Sequence, residues 1–506
     1  MGLSLLLVGS ILCIFLTRYL FRSGRRLPGP PRIPIVGNTL PPTAKIWELF
    51  AEYSKEFGPV FSLRFLCLNI IVVNSFSTCK EFFETRSAIY SGRKAPKMAE
   101  LSGMHEGVLF QPDTARLRQG RKYIGMGLQP SALKAYQHIV HKNVISFLNR
   151  VLASPTDALS VVSLLPTSVA LEIAYGYQPK SEDDEFVKRA RISIMRFGSA
   201  TALSPKDGFI VNLLPFLASL PAFLPGMSFK RTAAEWKHWS NEITTEGFQM
   251  VKSRMADGTA TPSLLRKALE AKDGSYDHNV LKRTTLQIYS GGSDTTISAI
   301  KSFILAMTLH PASQAKAQAE LDRHISTTGR LPTYSADRGE LPYVLAVMRE
   351  VLRWHSPGPI TSRMNTEDDD YEGYRIKKGT TIIVNFWAIM HDEAVFPDHR
   401  IFRPERWLDG TILDKHGVDP LEVAFGFGRR VCPGRHLAME VLFMTIASTL
   451  AIFDIKKAKD ADGKDIVPKE DYVGRSLIMP LPFPCVVTPR SDATRQFLEN
   501  ITNALG

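Results

Sequence analysis

The sequence of 506 residues is 44% hydrophobic and 22% charged, with a formal net charge of +12 at pH 7. This composition is typical of globular proteins and excludes collagen-like and cysteine-rich classes. The basic balance suits contact with anionic lipid or an acidic protein partner, or reflects dispersed solvated lysines. We expect no nucleic-acid partner, because no basic run is interleaved with aromatic residues.

The N-terminus is a long apolar run. Residues 3–16 read LSLLLVGSILCIFL, the run extends to Phe21, and the basic sequence RSGRR follows it. A membrane-spanning helix needs about 20 apolar residues, so we expect a transmembrane anchor over residues 1–21. The alternative is a cleaved signal peptide, which is disfavoured because the positive charges follow the apolar run and no small-residue cleavage site is present. The arginines of the basic sequence predict that the rest of the chain faces the cytosol.

A basic and proline-rich hinge is expected over residues 22–38, because LPGPPRIPIVGN is stiff and cannot form a helix. Residues 39–506 then form the body of the protein. Between Asp113 and His355 the pattern is mostly helical, with breaks at proline and glycine loops. Within it, residues 211–227 are apolar but carry three prolines. The prolines exclude a second spanning helix, which leaves either buried core or contact with a membrane surface.

Two segments predict β-hairpins. Residues 59–74 contain two β-type runs around Leu68-Asn69, and residues 374–385 contain two runs around a turn at Lys378-Gly379. The body is therefore expected to be mainly α-helical with a small β portion.

Residues 281–310 predict a helix with an unusual polar centre. Thirty residues of helix span about 45 Å, and apolar residues on several faces predict that the helix is buried. Its centre reads GGSDTT over residues 291–296, where each glycine costs about 1 kcal/mol relative to alanine. One interpretation is that two shorter helices meet at a break. The other is a notch in which a small molecule lies close to the backbone, beside a hydroxyl and a carboxylate.

Charged residues at helical spacing follow this segment. Glu350 and Arg353 lie three residues apart in a predicted helix that ends before Pro357, so their side chains share a face. An exposed pair of this kind contributes only about 0–1 kcal/mol to stability. Because the flanking residues are apolar, the alternative is a buried structural pair, with Arg406 of FRPERW as its third member.

One cysteine lies in a glycine-rich loop, FGFGRRVCPGRH, over residues 425–436. Pro433 suits the first position of a helix, and the apolar run over residues 437–453 predicts that helix. Cys432 would then lie at its cap, where free N–H groups and the helix dipole stabilise a thiolate, which is either a nucleophile or a metal ligand. The five cysteines contain no Cys-x-x-Cys pair, which disfavours a cysteine-based zinc site and a disulfide framework and indicates a reducing compartment.

Taken in order, these motifs resemble those of a cytochrome P-450, a haem-thiolate monooxygenase. The pattern F-x-x-G-x-R-x-C-x-G is met at Phe425, Gly428, Arg430, Cys432 and Gly434. The resemblance covers essentially the whole chain and implies one large, mainly α-helical domain, whereas length alone predicts about three domains. Within the family, the chain most resembles fungal membrane-bound enzymes of natural-product or xenobiotic oxidation.

The resemblance implies a role for each motif residue. Cys432 would be the ligand of haem iron, with Phe425 packed beside it, and the close approach of a flat ring would be allowed by Gly291 and Gly292. Asp294 and Thr295 would organise protons during oxygen activation, and the haem propionates would be bound by Arg121, Arg363 and Arg430. The motif around Arg121 departs from the family pattern, which usually has tryptophan where this chain has Leu117.

Three functions follow from the resemblance. The first is a monooxygenase with haem b that receives electrons from NADPH through a flavoprotein reductase and oxidises a lipophilic small molecule. The second is a haem-thiolate isomerase or dehydratase without oxygen activation, which the intact Asp294-Thr295 pair disfavours. The third is a non-catalytic haem-binding protein. The expected location is the endoplasmic reticulum membrane, with a single spanning segment in contact with lipid and the catalytic domain facing the cytosol.

Overall fold

The computed structural model describes residues 26–41, 45–66, 68–112, 114–181, 183–202, 208–271, 276–474 and 476–504. The expected anchor and the start of the hinge lie outside the described residues, as do Cys13 and Cys67.

Most of the described chain is helical, as the sequence predicts. The helices are α1 (Ile46–Phe57), α2 (Phe76–Lys80), α3 (Ser87–Tyr90), α4 (Lys97–Leu101), α5 (Ala115–Leu128), α6 (Pro130–Leu133), α7 (Gln137–Ala153), α8 (Ala158–Val161), α9 (Leu164–Tyr175), α10 (Glu185–Thr201), α11 (Ile210–Leu213), α12 (Phe229–Ala256), α13 (Leu264–Glu270), α14 (His278–Leu309), α15 (Pro311–Thr328), α16 (Tyr334–Asp337), α17 (Pro342–Trp354), α18 (Phe386–Met390), α19 (Thr411–His416), α20 (Pro420–Val423), α21 (Arg435–Ile452) and α22 (Asp492–Asn503). A π-helix, Glu81–Thr85, lies between α2 and α3, and short 3-10 helices cover Met104–Glu106, Lys134–Tyr136, Pro215–Ser219, Pro404–Trp407 and Gly428–Arg430.

The β portion is small and divided. The strands are β1 (Val60–Phe65), β2 (Leu68–Val73), β3 (Ile360–Met364), β4 (Asp369–Tyr371), β5 (Tyr374–Ile376), β6 (Thr381–Asn385), β7 (Phe453–Lys457), β8 (Tyr472–Gly474), β9 (Ile478–Pro480) and β10 (Cys485–Pro489). One sheet has the order β1-β2-β6-β3, with β2 and β6 parallel and the other two pairs antiparallel. The remaining strands form the two-stranded sheets β10-β7, β4-β5 and β8-β9.

Helix α14 is one continuous helix through its glycine pair, so the interpretation as two shorter helices is wrong. Asp277 caps its start by accepting bonds from the backbone N–H groups of Asn279 and Val280. Its central threonines Thr295 and Thr296 each donate a 2.8 Å hydrogen bond to the carbonyl oxygen four residues earlier. These side chains therefore bond within the helix instead of breaking it.

Helix α14 lies at the centre of the helical part. It packs against α5, α9, α12, α17 and α21. The main hydrophobic core takes residues from all of these helices, among them Phe303 of α14, Val347 of α17 and Phe443 of α21. A second core lies against the four-stranded sheet and includes Ile382 and Val384 of β6. Any side chain exposed on α14 therefore stands out from an otherwise buried helix.

The first predicted hairpin is confirmed and the second is wrong. β1 and β2 pair antiparallel with Phe65 opposite Leu68, so the turn lies two residues earlier than predicted. In residues 374–385, β5 pairs with β4, whereas β6 joins the four-stranded sheet between β2 and β3. The turn near Gly379 is held by Asn365, whose backbone carbonyl and side-chain oxygen accept bonds from the N–H groups of Gly379 and Thr380. The turn thus separates two sheets instead of closing a hairpin.

Two apolar helical stretches and the proline-broken segment differ in how deeply they are buried. Residues 158–175 and 435–452 are long and apolar enough to span a membrane, but 78% and 83% of these stretches are buried inside the protein, as expected of core helices. In the proline-broken segment, Val211 and Met227 are buried, whereas Phe216 and Phe223 are exposed by 61% and 85%. The buried-core interpretation therefore holds for part of this segment, and contact of the exposed part with a membrane surface stays a prediction.

Candidate active site

The loop from Phe425 to Gly434, which we name the ligand loop, folds tightly in front of α21. The backbone N–H of Cys432 donates a 2.8 Å bond to the carbonyl oxygen of Phe425, which closes the loop. Gly428 has a φ of +60°, and a Cβ atom there would lie 1.6 Å from the carbonyl oxygen of Phe83. Only glycine fits this position, because the loop lies directly on the backbone of the π-helix.

The Cys432 thiol does not have the lowered pKa that the sequence predicts. Helix α21 begins at Arg435 with Gly434 as its N-cap, so Pro433 is not the first helical residue and Cys432 lies two residues before the N-cap instead of at it. The residue keeps some exposed surface, but burial of the sulfur raises its pKa, and the backbone N–H of Gly434 and the nearby Arg121 only partly offset this. A thiol of this kind is a poor nucleophile at neutral pH, whereas a metal ion deprotonates its thiol ligand outright. The metal-ligand interpretation is therefore favoured.

Two buried arginines meet beside the ligand loop. Arg363 donates a 3.4 Å bond to the carbonyl oxygen of Arg430, and its guanidinium also lies 3.7 Å from where a Cβ of Gly426 would be. Burial and the neighbouring charge of Arg430 lower the pKa of Arg363 to about 9. Within the described residues, Arg363 forms no ion pair with a carboxylate. A buried guanidinium group is costly without an anion, so Arg363 is suited to bind one.

Arg430 and Arg121 also bind the backbone. Arg430 donates to the carbonyl oxygens of Ser91 at 2.8 Å, Val108 at 3.5 Å and Gln111 at 2.5 Å. Arg121 donates to the carbonyl oxygen of Val431 at 3.2 Å, and burial lowers the pKa of its guanidinium group, which the charge of Cys432 partly offsets. The structure thus brings Arg121, Arg363, Phe425, Arg430 and Cys432 together around one loop.

Helix α14 presents an open surface at Gly291 and Thr295. No atom outside its own helix backbone lies within 4 Å of where a Cβ of Gly291 would be, and Gly291 and Thr295 are both exposed although most of the helix is buried. Gly292 instead faces α9, where its Cβ would lie 3.7 Å from Ala170. The close approach of a flat ring is therefore supported at Gly291, whereas Gly292 serves the packing of two helices.

Asp294 is half-buried beside this open surface. Burial raises the pKa of its carboxyl group, although the positive charges of Arg191 and Lys301 act in the opposite direction. A carboxyl group with a raised pKa exchanges protons more readily near neutral pH than an exposed aspartate does. The proton-handling role expected of Asp294 and Thr295 stays a prediction.

The buried alternative for Glu350 is confirmed. Both of its oxygens accept bonds from Arg353 at 2.8 Å, and Arg406 donates to one of them at 3.1 Å. All three side chains are almost fully buried. The indole N–H of Trp407, for which the sequence predicts no role, donates to the other oxygen of Glu350 at 2.9 Å. Burial alone would raise the pKa of Glu350, but the two guanidinium groups hold it below its usual range.

Some site residues carry no signal in the sequence. Cys79 is fully buried, which raises the pKa of its thiol although the charge of Arg363 acts in the opposite direction, yet it belongs to no motif. The carbonyl oxygens that bind Arg430 are backbone groups, so only the fold selects them. A further group of possible metal ligands, His324, Asp337 and Glu340, lies in the described part of the chain. Asp337 already accepts two bonds from Arg330, so we assign this group a structural role.

Comparison with known proteins identifies relatives over nearly the whole chain. Residues 27–483 match the model of the family described as Cytochrome P-450. A cytochrome P-450 monooxygenase of Ampulloclitocybe clavipes, claR, is 36% identical over 97% of this chain and 91% of its own length. Cytochrome P-450 monooxygenase 98 of Postia placenta is 34% identical over 99% of this chain and 98% of its own length. A solved zebra fish cytochrome P-450 with abiraterone has a TM-score of 0.69 at 22% identity, over 88% of this chain and all of that one, which shows a shared fold.

Proposed function

Because this chain belongs to the cytochrome P-450 family, whose fungal members similar to it are monooxygenases, we propose that it inserts one oxygen atom of O2 into a lipophilic small molecule. The family implies haem, and the residues present fit that group. The observation that carries the proposal is the meeting of Cys432 and two buried arginines, Arg363 and Arg430, at the ligand loop. Helix α14, which is mostly buried, in addition exposes one glycine, Gly291.

Each of these features suits one part of haem b. Cys432 would ligate the iron, and Arg363 and Arg430, with Arg121, would bind the propionates, because a guanidinium group binds a carboxylate with paired hydrogen bonds. The open side of Gly291 gives room for a flat ring. Phe425 packs against the main core and fixes the N–H of Cys432 through its own carbonyl oxygen. Bound haem would supply the chemistry of oxygen activation.

The role we propose for Thr295 and Asp294 is to deliver protons. The Thr295 hydroxyl donates to the carbonyl oxygen of Gly291 and keeps its lone pairs available on the open side of α14. Asp294 supplies a carboxyl group whose pKa is raised by burial. Positioned proton donors contribute about 10²–10⁴-fold to a reaction step. Their presence favours oxygen activation over an isomerase or dehydratase reaction.

The partners that we propose follow from the reaction and from the exposed surface. Monooxygenation consumes two electrons, which NADPH would supply through a flavoprotein reductase. Phe216 and Phe223 expose large apolar side chains, and such groups suit contact with lipid. We place the protein in the endoplasmic reticulum membrane, held by residues 1–21 and with its catalytic domain in the cytosol. The substrate would be an apolar compound of secondary metabolism or a xenobiotic.

The test of the iron ligand is a cysteine exchange. Cys432→Ser should abolish the thiolate-type spectrum of the reduced carbon monoxide complex. Cys485→Ser is the matched control, because Cys485 is also a buried free cysteine but lies in β10. A Cys432→Ser protein that keeps the spectrum would refute the assignment. Wild-type membranes supplied with reductase and NADPH should then add one oxygen in mass to members of a panel of terpenoids, polyketides and aromatics.

A further inference from the structure

Residues 104–111, which we name the strap, lie across the N-terminal half of helix α14. Arg430 holds the backbone of the strap from the side of the ligand loop, as described above. Arg93 holds it from another side and donates a 3.3 Å bond to the carbonyl oxygen of Leu109. The strap is therefore fastened at its C-terminal half by arginines that bind its backbone.

A third arginine holds the other half of the strap through a side chain. A carboxylate oxygen of Glu106 lies 3.2 Å from a guanidinium nitrogen of Arg283 on α14. Arg283 also donates to the side chains of Ser240, at 3.0 Å, and Asn241 on α12. The Arg283 side chain is 9% exposed, whereas that of Glu106 is 27% exposed. The pair thus ties the strap to two long helices, and its acidic member can reach solvent.

Gly107 brings the strap into direct contact with the next turn of α14. A Cβ atom at Gly107 would lie 2.0 Å from the side-chain nitrogen of Gln287. Any other residue would have to push this side chain aside. The strap and α14 therefore fit closely at two consecutive points, Glu106 on Arg283 and Gly107 on Gln287.

These contacts lie on the same ridge of α14 as Gly291 and Thr295, the residues of its open surface. Arg283, Gln287, Gly291 and Thr295 follow one another at intervals of four residues, which forms a ridge that winds slowly around the helix. Each step advances about 6 Å along the axis. The strap covers the first two members, whereas Gly291 and Thr295 are exposed. The edge of the strap is therefore about one turn of helix from the open space beside Gly291.

We propose that Glu106 and Arg283 are positioning residues that fix the strap against α14 and so limit the size of the molecules that reach the space beside Gly291 and Thr295. The inference rests on the proposed function in one respect, that this space receives the substrate. When Glu106 loses its charge, Arg283 keeps its bonds to α12, but the strap loses its ionic contact with α14. The strap then separates from α14 more often, and the space becomes accessible to larger molecules.

Hydrogen–deuterium exchange of the full chain in detergent tests the positioning without haem or substrate. In Glu106→Gln, the amides of residues 104–111 should exchange about five- to tenfold faster than in the wild type, as expected for loss of a partly buried ion pair. Glu100→Gln is the matched control. Glu100 pairs with Lys97 at 2.7 Å within α4, close to the strap in sequence, and this pair makes no link to α14. Equal exchange in the wild type and Glu106→Gln would overturn the proposal.

A substitution at Gly107 should also weaken the contact between the strap and α14. Gly107→Ala should also speed exchange of the strap, because its methyl group collides with Gln287. The double variant Gly107→Ala, Gln287→Ala should recover slow exchange, since the colliding side chain is gone. Fast exchange that persists in the double variant would contradict the packing described here.

Azole binding tests the limit on size. Imidazole and the bulky azole ketoconazole are mixed with the haem-loaded protein, and the shift in haem absorbance gives each association rate. In Glu106→Gln, the rate for ketoconazole should rise about fivefold while the rate for imidazole stays the same. Unchanged rates, or equal changes for both probes, would refute the limit on size. If neither the wild type nor Glu106→Gln shows a haem spectrum, the proposed function is wrong and the limit on size is wrong with it. The exchange experiment still decides whether Glu106 positions the strap.

Discussion

Thr295 makes the same internal hydrogen bond as other threonines of α14 but differs from them in exposure. Its hydroxyl bonds the carbonyl oxygen of Gly291 at 2.8 Å on the open side of the helix. Thr308 makes an identical bond of 2.8 Å to Ile304, but it is buried in the core. A comparison of Thr295 with Thr308 therefore distinguishes the effect of the internal hydrogen bond from the effect of a hydroxyl group on the open surface.

Thr295→Ala should retain haem and accept electrons but lose most of its coupling. We expect the ratio of product formed to NADPH consumed to fall by about tenfold or more, with hydrogen peroxide released into solution, because a positioned group that takes part in proton transfer contributes about 10²–10⁴-fold to its step. Thr308→Ala should keep the wild-type ratio. An unchanged ratio in Thr295→Ala would assign the residue a structural role and favour a reaction without oxygen activation.

Glu350 is the residue on which the buried charge cluster depends. Glu350→Gln would leave Arg353 fully buried without its carboxylate, so the free energy of unfolding should fall by about 3–5 kcal/mol. Denaturant titration of the full chain in detergent measures this change. Glu52→Gln removes an exposed acid whose pair with Lys55 is also three residues apart, and it should have no measurable effect. Equal stability of both variants would show that the Glu350 carboxylate contributes little.

The ligand loop as an element depends on one glycine more than on the others. Gly428→Ala should reduce the fraction of protein that binds haem, because the added methyl group would occupy the place of the Phe83 carbonyl oxygen and push the loop away from the π-helix. Gly379→Ala is the control, since Gly379 also has a positive φ, of +80°, but its Cβ would meet nothing within 4 Å. The ratio of haem to protein absorbance measures the effect. A full haem content in Gly428→Ala would contradict a rigid contact.

Elements with a local signal could be predicted from the sequence. Helices α14, α17 and α21 and the β1-β2 hairpin follow from periodicity, because the backbone hydrogen bonds that form them join residues near in the chain. The pairing of β6 could not be predicted, since a strand chooses partners by the packing of distant segments. The motif residues Cys432, Arg430 and Arg363 were expected at the site, but the carbonyl oxygens that hold Arg430 and the raised pKa of Cys432 depend on the assembled fold.

At the scale of the whole molecule, three histidines make stability depend on pH. His355, His391 and His399 all have lowered pKa values, mainly through burial and also through nearby positive charges such as Arg353. In the unfolded chain each pKa returns to about 6.5, so below that pH the unfolded state binds more protons than the folded state. Stability is therefore present above pH 6.5 and is lost as the pH falls.

The free energy of unfolding should accordingly decrease between pH 7 and pH 5, by up to about 1.4 kcal/mol per histidine for each pH unit. His355→Phe should reduce this slope. His355 stacks on Tyr472 with ring centres 3.8 Å apart, so phenylalanine preserves the stacking while removing the titrating group. Denaturant titrations at several pH values compare the two proteins, and identical slopes would exclude His355 as a contributor.

The ligand loop is made later in translation than the residues it contacts. Arg430 is hydrogen-bonded to Ser91, which lies 339 positions earlier in the chain, and Val431 is hydrogen-bonded to Arg121, which lies 310 positions earlier. Ribosomes add about 5–20 residues per second, and the loop begins at residue 425 of 506. The nascent chain thus carries its partner segments for many seconds before the cysteine that they surround has been made. If Cys432 is the ligand of the cofactor, as we propose, the complete ligand site would form only after residues 425–434 have been made, when the segments around Ser91 and Arg121 are already present.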